Sequence, residues 1–334
     1  MEFSGPLDAE KGSYMRLKGM LPVAVTAALL LSACGDDAST ATVPEGGTIK
    51  VGIEAPWDLA YVPTSLAIDK MKAKGYTLEA VQFSEPDAMA QALQSGQIDV
   101  ATNSAGQVLS AIDAGLPVKA FLGLTDPTFV MVAKAELSTC ASLNGKRVAV
   151  QGQADFIAAS TAQWLAKNCP GTKPDIVVIP GSENRAAALL AGQIDASGLH
   201  ILRFRQLQKE QPGKFVAIDG FGAPEKVTSG WFYAKTEWLD NNKDLVKTFV
   251  DAYSETVDDI YANPESIQDR AVQLIPDVDP TLLREVVGEW AELKAWPAKE
   301  GVQRDVFDAT LTFYKGFTTY KNVSGYEQSI YPPS

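Results

Sequence analysis

The sequence predicts two α/β lobes, each a mainly parallel β-sheet flanked by helices. The decapeptide ALQSGQIDVA at 92–101 returns as ALLAGQIDAS at 188–197, so Gly96 and Gly192 stand 192−96 = 96 residues apart. Each copy alternates short β-branched runs with helical windows of the length found in βαβ units. Two copies of such a unit predict two similar lobes.

The spacing of 96 or 97 residues extends through each copy. Residues 51–53 resemble residues 148–150, and the apolar stretch ending at Phe83 corresponds to the one ending at Ile179. Strands joined by helical crossovers run parallel, with both faces of the sheet covered. A common helix-to-strand motif with glycine after the helix would explain one copy, but it does not explain two copies in register.

The N-terminal region indicates export. Residues 15–18, MRLK, make a basic n-region, residues 19–31 form an apolar run, and small residues precede Cys34. The run is too short for a membrane-spanning helix, which needs about 20 residues. The LSAC end resembles the bacterial lipobox, which implies a lipid anchor on Cys34 and a place at the extracytoplasmic face of the cell membrane. The alternative is a plain secretory signal.

Composition and pattern divide the chain into four parts. A signal region at 1–34 is followed by a polar stretch at 35–47 that predicts a flexible tether. The extended segments LGLTDPTFVMVAK and EKVTSGWFYAK flank the second copy and predict two hinge strands. The predicted lobes are 48–128 plus 232–334 for lobe I and 129–231 for lobe II, with helical C-terminal segments packed on lobe I.

The net charge of −12 disfavours nucleic acid as a partner, because neutralising phosphates needs clustered lysine and arginine. It does not exclude a small anionic ligand, whose binding depends on local donors. Cys140 and Cys169 are predicted to form a disulfide that closes a loop of 169−140 = 29 residues, with two separate buried thiols as the alternative. A single histidine and the lack of a CxxC pair disfavour a zinc site, and we expect neither a metal nor a cofactor.

Ligands of open parallel sheets bind beyond the carboxyl ends of the strands. The repeat therefore nominates three loops in each lobe, facing one cleft. The loops are 54–58, 84–87 and 102–104 in the first lobe and 151–155, 181–184 and 198–200 in the second.

The segment GQADFIAAS is a candidate anion site, with ligand contact expected from Gln151 to Ala154, because polar turn residues and a glycine precede a helix whose first N–H groups have no internal partner. The alternative is capping of that helix by Asp155. Asn103 and Ser104 present the same choice between capping a helix and contacting a ligand.

His200 matches Ser104 in the register of the repeat and is a candidate ligand contact, with a structural role as the alternative. Arg203 follows on the next predicted helix, where a guanidinium could bind a carboxylate through two hydrogen bonds or lie on the surface.

Four aromatic residues lie at or next to the nominated loops and could stack on a planar ligand or pack in the core. They are Trp57, Phe129, Phe156 and Trp231. Trp57 has the strongest case because its loop, APWDLAYVP, is polar and bounded by prolines.

These features resemble the substrate-binding proteins of ABC importers, in the group that includes nitrate, taurine, alkanesulfonate and thiamine-precursor binders. The resemblance rests on the lipobox, the paired GQID motifs, the segment LNGKRVAVQGQAD and the helical C-terminal third, and it covers about residues 46–330. It implies a two-lobed periplasmic-binding-protein type II fold that closes on one ligand. It also implies delivery to a membrane permease driven by a cytoplasmic ATPase, with the binding protein acting as a monomer.

The resemblance places ligand contacts at Trp57, Asn103, Ser104, Gln153, Ala154 and His200, to which the candidate set adds Asp155 and Trp231. We expect a small organic anion as ligand, for example an aromatic carboxylate or a sulfonate, with a thiamine-like pyrimidine as the alternative. An enzyme of the same fold, such as a pyrimidine synthase or a dehydratase, is disfavoured because the chain lacks the cysteine-rich run of the synthases and has one histidine. A ligand-sensing lipoprotein would have the same sequence features.

Overall fold

The computed structural model describes residues 42–43, 47–297 and 301–332. The predicted signal region, the lipid-anchor residue Cys34 and most of the tether lie outside the described residues. Within the described part of the chain, no helix is both long and apolar enough to cross a membrane.

The first repeat forms three βα units followed by a fourth strand. These elements are β1 (Thr48–Glu54), α1 (Val62–Ala73), β2 (Thr77–Phe83), α2 (Pro86–Ser95), β3 (Val100–Ser104), α3 (Ala105–Asp113) and β4 (Val118–Thr125), with a short 3₁₀ helix at Leu59–Tyr61.

The second repeat has the same order after one entering strand. Its elements are β5 (Phe129–Lys134), β6 (Arg147–Val150), α4 (Phe156–Asn168), β7 (Asp175–Val178), α5 (Ser182–Leu190), β8 (Ala196–His200), α6 (Ile201–Glu210) and β9 (Phe215–Ile218), with a 3₁₀ helix at Cys140–Leu143.

One strand and a run of helices complete the chain. They are β10 (Gly230–Lys235), α7 (Thr236–Asn241), α8 (Lys243–Ala262), α9 (Gln268–Leu274), α10 (Pro280–Glu292), α11 (Arg304–Lys315) and α12 (Tyr326–Ser329), with a 3₁₀ helix at Pro264–Ile267.

The strands form two five-stranded mixed sheets, in the orders β2-β1-β3-β10-β4 and β7-β6-β8-β5-β9. In the first sheet β10 is antiparallel to both β3 and β4, and in the second β5 is antiparallel to both β8 and β9. The other strands of each sheet share one direction. The two lobes and their mainly parallel sheets are as the sequence predicts, and each opposing strand is the one that enters the sheet from the other lobe.

The chain crosses between the sheets twice. It leaves β4 at Thr125 and enters β5 at Phe129, and it returns from Ile218 in β9 to Gly230 in β10. β10 thus begins two residues before the predicted start of the returning lobe I segment at 232. These two connections join the lobes at one side of the cleft.

The aspartate of the repeated GQID motif has the same role in both lobes. The Asp99 carboxylate accepts a hydrogen bond from the backbone N–H of Lys50 at 2.8 Å, and the Asp195 carboxylate accepts one from Arg147 at 3.0 Å. Each aspartate therefore fixes the start of the neighbouring strand, β1 or β6. The motif repeats because it sets the register of the central strands.

The two glycines of the motif are also explained by the backbone. Gly96 has φ of 75° and Gly192 has φ of 69°, which is the left-handed region that glycine adopts without a steric penalty. This conformation ends α2 and α5 and turns the chain into the next strand.

The C-terminal helices extend the hydrophobic core of the first lobe. Side chains of β1 and α1 pack with those of α8 and α10 in one buried cluster, which includes Phe249, Tyr253 and Trp290. α11 packs on the other face of the first sheet, where Phe307 contacts Trp231. The prediction that these helices pack back onto lobe I agrees with this arrangement.

Cys140 and Cys169 form a disulfide with a Cα–Cα distance of 5.9 Å, as the sequence predicts. The bond joins the 3₁₀ helix before β6 to the end of α4. It therefore ties the end of α4 to the segment that leads into β6.

Candidate ligand-binding cleft

A cavity of about 100 Å³ lies in the cleft between the two sheets. All six loops nominated by the repeat contribute to its wall. From the first lobe these loops provide Glu54, Asp58, Pro86, Asn103 and Ser104, and from the second Gln151, Asp155, Ser182, Glu183 and His200. The carboxyl ends of the parallel strands therefore meet at one site, as expected for an open α/β sheet.

Gln151 joins the two lobes directly at the cavity. Gln151 Nε2 donates a hydrogen bond of 2.6 Å to Oε1 of Glu54, which lies at the end of β1. The amide oxygen of Gln151 accepts hydrogen bonds from Arg185 Nη1 at 2.6 Å and from the backbone N–H of Gly181 at 3.2 Å. Because both donors bind the oxygen, the NH₂ group must point to Glu54.

The lobes also meet at a second point. Gly106 in α3 lies against the backbone carbonyl of Ala154, so closely that a Cβ atom at position 106 would overlap the carbonyl oxygen. Together with the bond between Glu54 and Gln151, this contact defines a closed cleft.

Burial raises the pKa of Glu54 to about 7, although the hydrogen bond from Gln151 and the charge of Arg185 act in the opposite direction. The carboxyl group is therefore poised between its neutral and ionised forms near neutral pH. A charge entering the cavity would shift this balance.

Arg185, in α5, is 1 % exposed and its side chain lines the cavity. Its Nη1 also donates to the carbonyl of Ile179 at 3.0 Å, and its Nε donates to the carbonyl of Gly198 at 3.3 Å. Burial lowers the pKa of this guanidinium, and the charge of Asp155 acts against that shift. Arg185 thus organises the loops as well as lining the cavity.

Asp155 caps α4. Its carboxylate accepts hydrogen bonds from the backbone N–H groups of Ile157 at 2.9 Å and Ala158 at 3.0 Å. The side chain is buried, and burial raises its pKa while these donors lower it. The helix end that the sequence nominates for an anion is therefore satisfied by the protein's own carboxylate, the alternative weighed for this segment.

Of the candidate contacts in that segment, Gln151 lies on the cavity wall, but Gln153 and Ala154 do not. Gln153 is exposed and lines a separate groove on the outside of α4. Ala154 contributes its carbonyl to the contact with Gly106. The turn before α4 points Asp155 inward and the two preceding side chains away from the ligand site.

Asn103 and Ser104 end β3 at the cavity, and both roles foreseen for them are compatible with their positions. Ser104 Oγ accepts a hydrogen bond from the backbone N–H of Gln107 at 3.3 Å and so caps α3. Asn103 Oδ1 accepts one from the N–H of Ser104 at 2.9 Å. The side chains shape the loop while lining the cavity.

His200 forms part of an aromatic wall. Its ring stacks on Phe129 with centroids 3.9 Å apart, and Phe129 stacks on Phe156 at 5.3 Å. Nδ1 of His200 lies 2.9 Å from Oγ1 of Thr128 in the hinge connection. Burial lowers the pKa of His200 to about 4, so the ring is neutral at pH 7.

Three further candidate residues lie away from the cavity wall. Trp57 is half-buried against the first-lobe core and stands edge-on to Tyr61, whose side chain does line the cavity. Trp231 is 0 % exposed because β10 is a central strand with both faces covered. Arg203 is buried behind the cleft and pairs with Asp277 at 2.7 Å.

Sequence reasoning named Gln151 as a candidate contact but did not single out Glu54, Glu183 or Arg185, although Glu54 and Glu183 lie in nominated loops. The register of the repeat carries the missing signal for Arg185. Arg185 lies 185−89 = 96 residues after Met89, and both side chains line the cavity. Equivalent helix positions therefore point to the cleft from both lobes.

Among the described residues, no group of three or more His, Cys, Asp or Glu side chains is arranged to hold a metal ion. The polar groups at the cavity are carboxyl, amide, hydroxyl, imidazole and guanidinium groups. They can bind a small organic molecule through hydrogen bonds and charge.

Two mixed sheets flanked by helices, joined by two connections around a cleft, form the periplasmic-binding-protein type II fold. The alkanesulfonate-binding protein of Xanthomonas axonopodis pv. citri bound to MOPS has this fold, with a TM-score of 0.69 and 16% identity over 87% of this chain and 99% of that one. The aliphatic sulphonate binding protein of Escherichia coli gives a TM-score of 0.64 and 16% identity over 87% and 93% of the two chains.

Residues 71–267 match the model of the family described as NMT1/THI5 like, and this chain belongs to that family. A curated relative, the 4-amino-5-hydroxymethyl-2-methylpyrimidine phosphate synthase of Candida albicans, is 25% identical over 65% of this chain and 69% of its own length. The fold and the family together define the class of this chain as an NMT1/THI5-like protein with the periplasmic-binding-protein type II fold.

Proposed function

We propose that this protein captures a compact organic solute between its lobes as the binding component of an ABC importer. The observation that carries the proposal is the bond between Glu54 and Gln151, which closes the cleft over a cavity lined by all six strand-end loops. A protein that contacts its ligand from both lobes is shifted by that ligand toward the closed state.

The size of the cavity restricts the ligand. A cavity of about 100 Å³ is smaller than the engineered cavity of about 150 Å³ that accommodates benzene. The cavity of the closed cleft therefore matches a small molecule better than an oligosaccharide or a peptide.

The place of action in this proposal comes from the N-terminal sequence. Export and lipid attachment at Cys34 would hold the two lobes at the extracytoplasmic face of the membrane, beside a permease driven by a cytoplasmic ATPase. The resemblance to importer proteins supports these partners. A ligand-sensing lipoprotein is the alternative. Co-purification of the protein with a permease would favour import over sensing.

The relatives and the cavity favour different chemical classes of ligand. The sulfonate ligands named for two structural relatives support the expected organic anion, and the pyrimidine synthase relative supports a thiamine-like heterocycle. Against an anion, Asp155 occupies the helix end where one would bind. The carboxyl groups of the cavity favour a small ligand that donates hydrogen bonds.

We propose binding without chemical conversion. The synthase relative makes an enzyme the competing function, but two of the three cysteines form a disulfide and His200 has its pKa lowered to about 4 by burial. A base with so low a pKa is weakly matched to proton transfer at neutral pH. Mass spectrometry of a bound ligand recovered unchanged after prolonged incubation supports this, and a converted ligand contradicts it.

The function is tested by a thermal-shift screen of the purified chain against small organic acids, amines, amino-heterocycles, sugars, metal ions and peptides. A ligand present at 100 times its Kd stabilises by about 2.7 kcal/mol. We expect small organic molecules to stabilise the protein. Stabilisation by sugars, metals or peptides alone, or by none of these compounds, would falsify the proposal.

A further inference from the structure

Carboxyl groups dominate the charge of the cavity wall. Glu54 and Asp58 come from the first lobe, and Asp155 and Glu183 from the second. Among the described residues that line the cavity, Arg185 is the one with a cationic side chain. Its Nε and Nη1 already donate to acceptors of the protein. The wall therefore offers more acceptors than donors to a ligand.

Two of these carboxyl groups have a buried oxygen that lacks a hydrogen-bond partner among the described residues. They are Oδ2 of Asp58 and Oε1 of Glu183. A buried acceptor left without a donor costs about 1–3 kcal/mol, and more when it is charged. The charges of Arg203 and Arg185 lower the pKa of Glu183, but neither guanidinium donates to this oxygen. N–H groups of a ligand would supply the missing donors.

The acidic groups also face one another across the cleft. Burial raises the pKa of Glu183, and the charge of Asp58 on the opposite lobe raises it further. Asp58 and Glu183 act in the same direction on Glu54. Closing the lobes therefore brings like charges together, and a positive charge between them would remove this opposition to closure.

The aromatic wall suits the same ligand. Phe129 and Phe156 line the cavity and offer the edges of their stacked rings to the apolar part of a ligand. His200, neutral at pH 7, adds no positive charge that would repel a cation.

We propose that the cleft selects a compact organic cation, a protonated amine or protonated nitrogen heterocycle, over an organic anion of the same shape. Glu54, Asp58 and Glu183 accept its N–H groups from both lobes, and Phe129 and Phe156 contact its apolar part. This inference rests on the proposed capture of a small solute and specifies its charge.

The test uses three probes of similar shape with different charge: isobutylammonium, isobutanol and isobutyrate. Isothermal titration of the full chain at pH 8 is expected to give binding of isobutylammonium at least about tenfold tighter than binding of isobutanol, and no detectable binding of isobutyrate. Equal or tighter binding of isobutanol or isobutyrate overturns the inference, and so does the absence of isobutylammonium binding.

Two variants locate the effect. Glu54→Gln keeps an oxygen that can accept the hydrogen bond from Gln151 but removes the charge. Asp58→Asn likewise keeps an oxygen that can cap the following 3₁₀ helix but removes the charge. Each is expected to weaken isobutylammonium binding about tenfold, while Glu285→Gln, on the exposed face of α10, leaves it unchanged. Unchanged binding in both cleft variants overturns the inference.

The outcomes separate the two proposals. If small neutral or anionic molecules close the cleft and cations do not, solute capture stands and the charge assignment fails. If no small molecule of any charge binds, both fail.

Discussion

Glu54 and Gln151 occupy equivalent positions in the two repeats, 151−54 = 97 residues apart, and their side chains meet across the cleft at 2.6 Å. The same spacing relates Asp58 to Asp155, and each caps the turn that follows its strand. The duplication thus supplies matching positions on the two walls. The unlike residues at those positions give the site its chemistry.

Replacing Gln151 by leucine is expected to weaken ligand binding. The substitution removes the bond to Glu54 and leaves Arg185 without one of its acceptors. A hydrogen bond to a charged group contributes about 1.5–3 kcal/mol, so affinity should fall by about tenfold or more. Isothermal titration with a ligand found by screening measures this.

The matched control for Gln151→Leu is Gln153→Leu, two residues along the same loop but exposed and away from the cavity wall. Equal loss of affinity in the two variants would show that the bond between the lobes has no special role in closure.

Glu54→Gln is expected to make stability less dependent on pH. The pKa of Glu54 is raised from 4.5 to about 7 in the folded protein, so the folded state binds more protons than the unfolded state between these values. Stability from this group is therefore present below about pH 4.5 and is lost as pH rises through 7. The loss is on the order of 3 kcal/mol.

Thermal unfolding of the wild type and Glu54→Gln at pH 4 and pH 8 measures this difference. The variant should be the more stable protein at pH 8 and should lose its advantage at pH 4. An advantage of the same size at both values, or none at pH 8, would mean that Glu54 does not titrate near neutrality.

Asp155→Ala is expected to affect both stability and ligand charge preference. Losing the cap of α4 should cost about 0.5–2 kcal/mol. It also frees the N–H groups of Ile157 and Ala158 at the cavity and removes a carboxylate. The ratio of isobutylammonium to isobutyrate affinity should therefore fall.

Asp279→Ala provides the comparison, because Asp279 caps α10 in the same way, with the N–H groups of Thr281 and Leu282, at an exposed position away from the cavity, where it also pairs with Lys209 at 2.9 Å. We expect a similar loss of stability from chemical unfolding and no change in the affinity ratio. A change of the ratio in both variants would argue against a local role of Asp155.

Replacing Cys140 and Cys169 by serine is expected to destabilise the second lobe without changing affinity. A bond that closes a loop of 29 residues contributes about 3–4 kcal/mol through the unfolded state. Denaturant unfolding should show this loss, and titration under native conditions should give the wild-type Kd. A changed Kd would connect the disulfide to closure.

The fold could be predicted because its signal is periodic. Asp99 and Asp195 set the register of the central strands, and Gly96 and Gly192 turn the chain after the helices. The same short sequence therefore determines the same turn and strand register in both lobes. The six cleft loops followed from the direction of the strands. Lipid attachment at Cys34 stays a prediction.

The candidate site could be predicted only in part, because side-chain direction depends on contacts between distant segments. Trp231 lies in β10, and its ring is buried because this strand inserts between β3 and β4. No local sequence pattern predicts that insertion. Arg185 has the sequence pattern of a surface residue on a helix, but its guanidinium points inward because it donates hydrogen bonds to the carbonyl groups of Ile179 and Gly198. Asp155 could be foreseen as a cap of α4, and the structure confirms that role.

Solution scattering during a ligand titration tests capture by closure most directly. If the lobes close on a solute, the radius of gyration should fall with the same midpoint as the binding isotherm, and Gln151→Leu should shift both midpoints together. A saturating ligand that leaves the radius of gyration unchanged would contradict closure as the basis of capture.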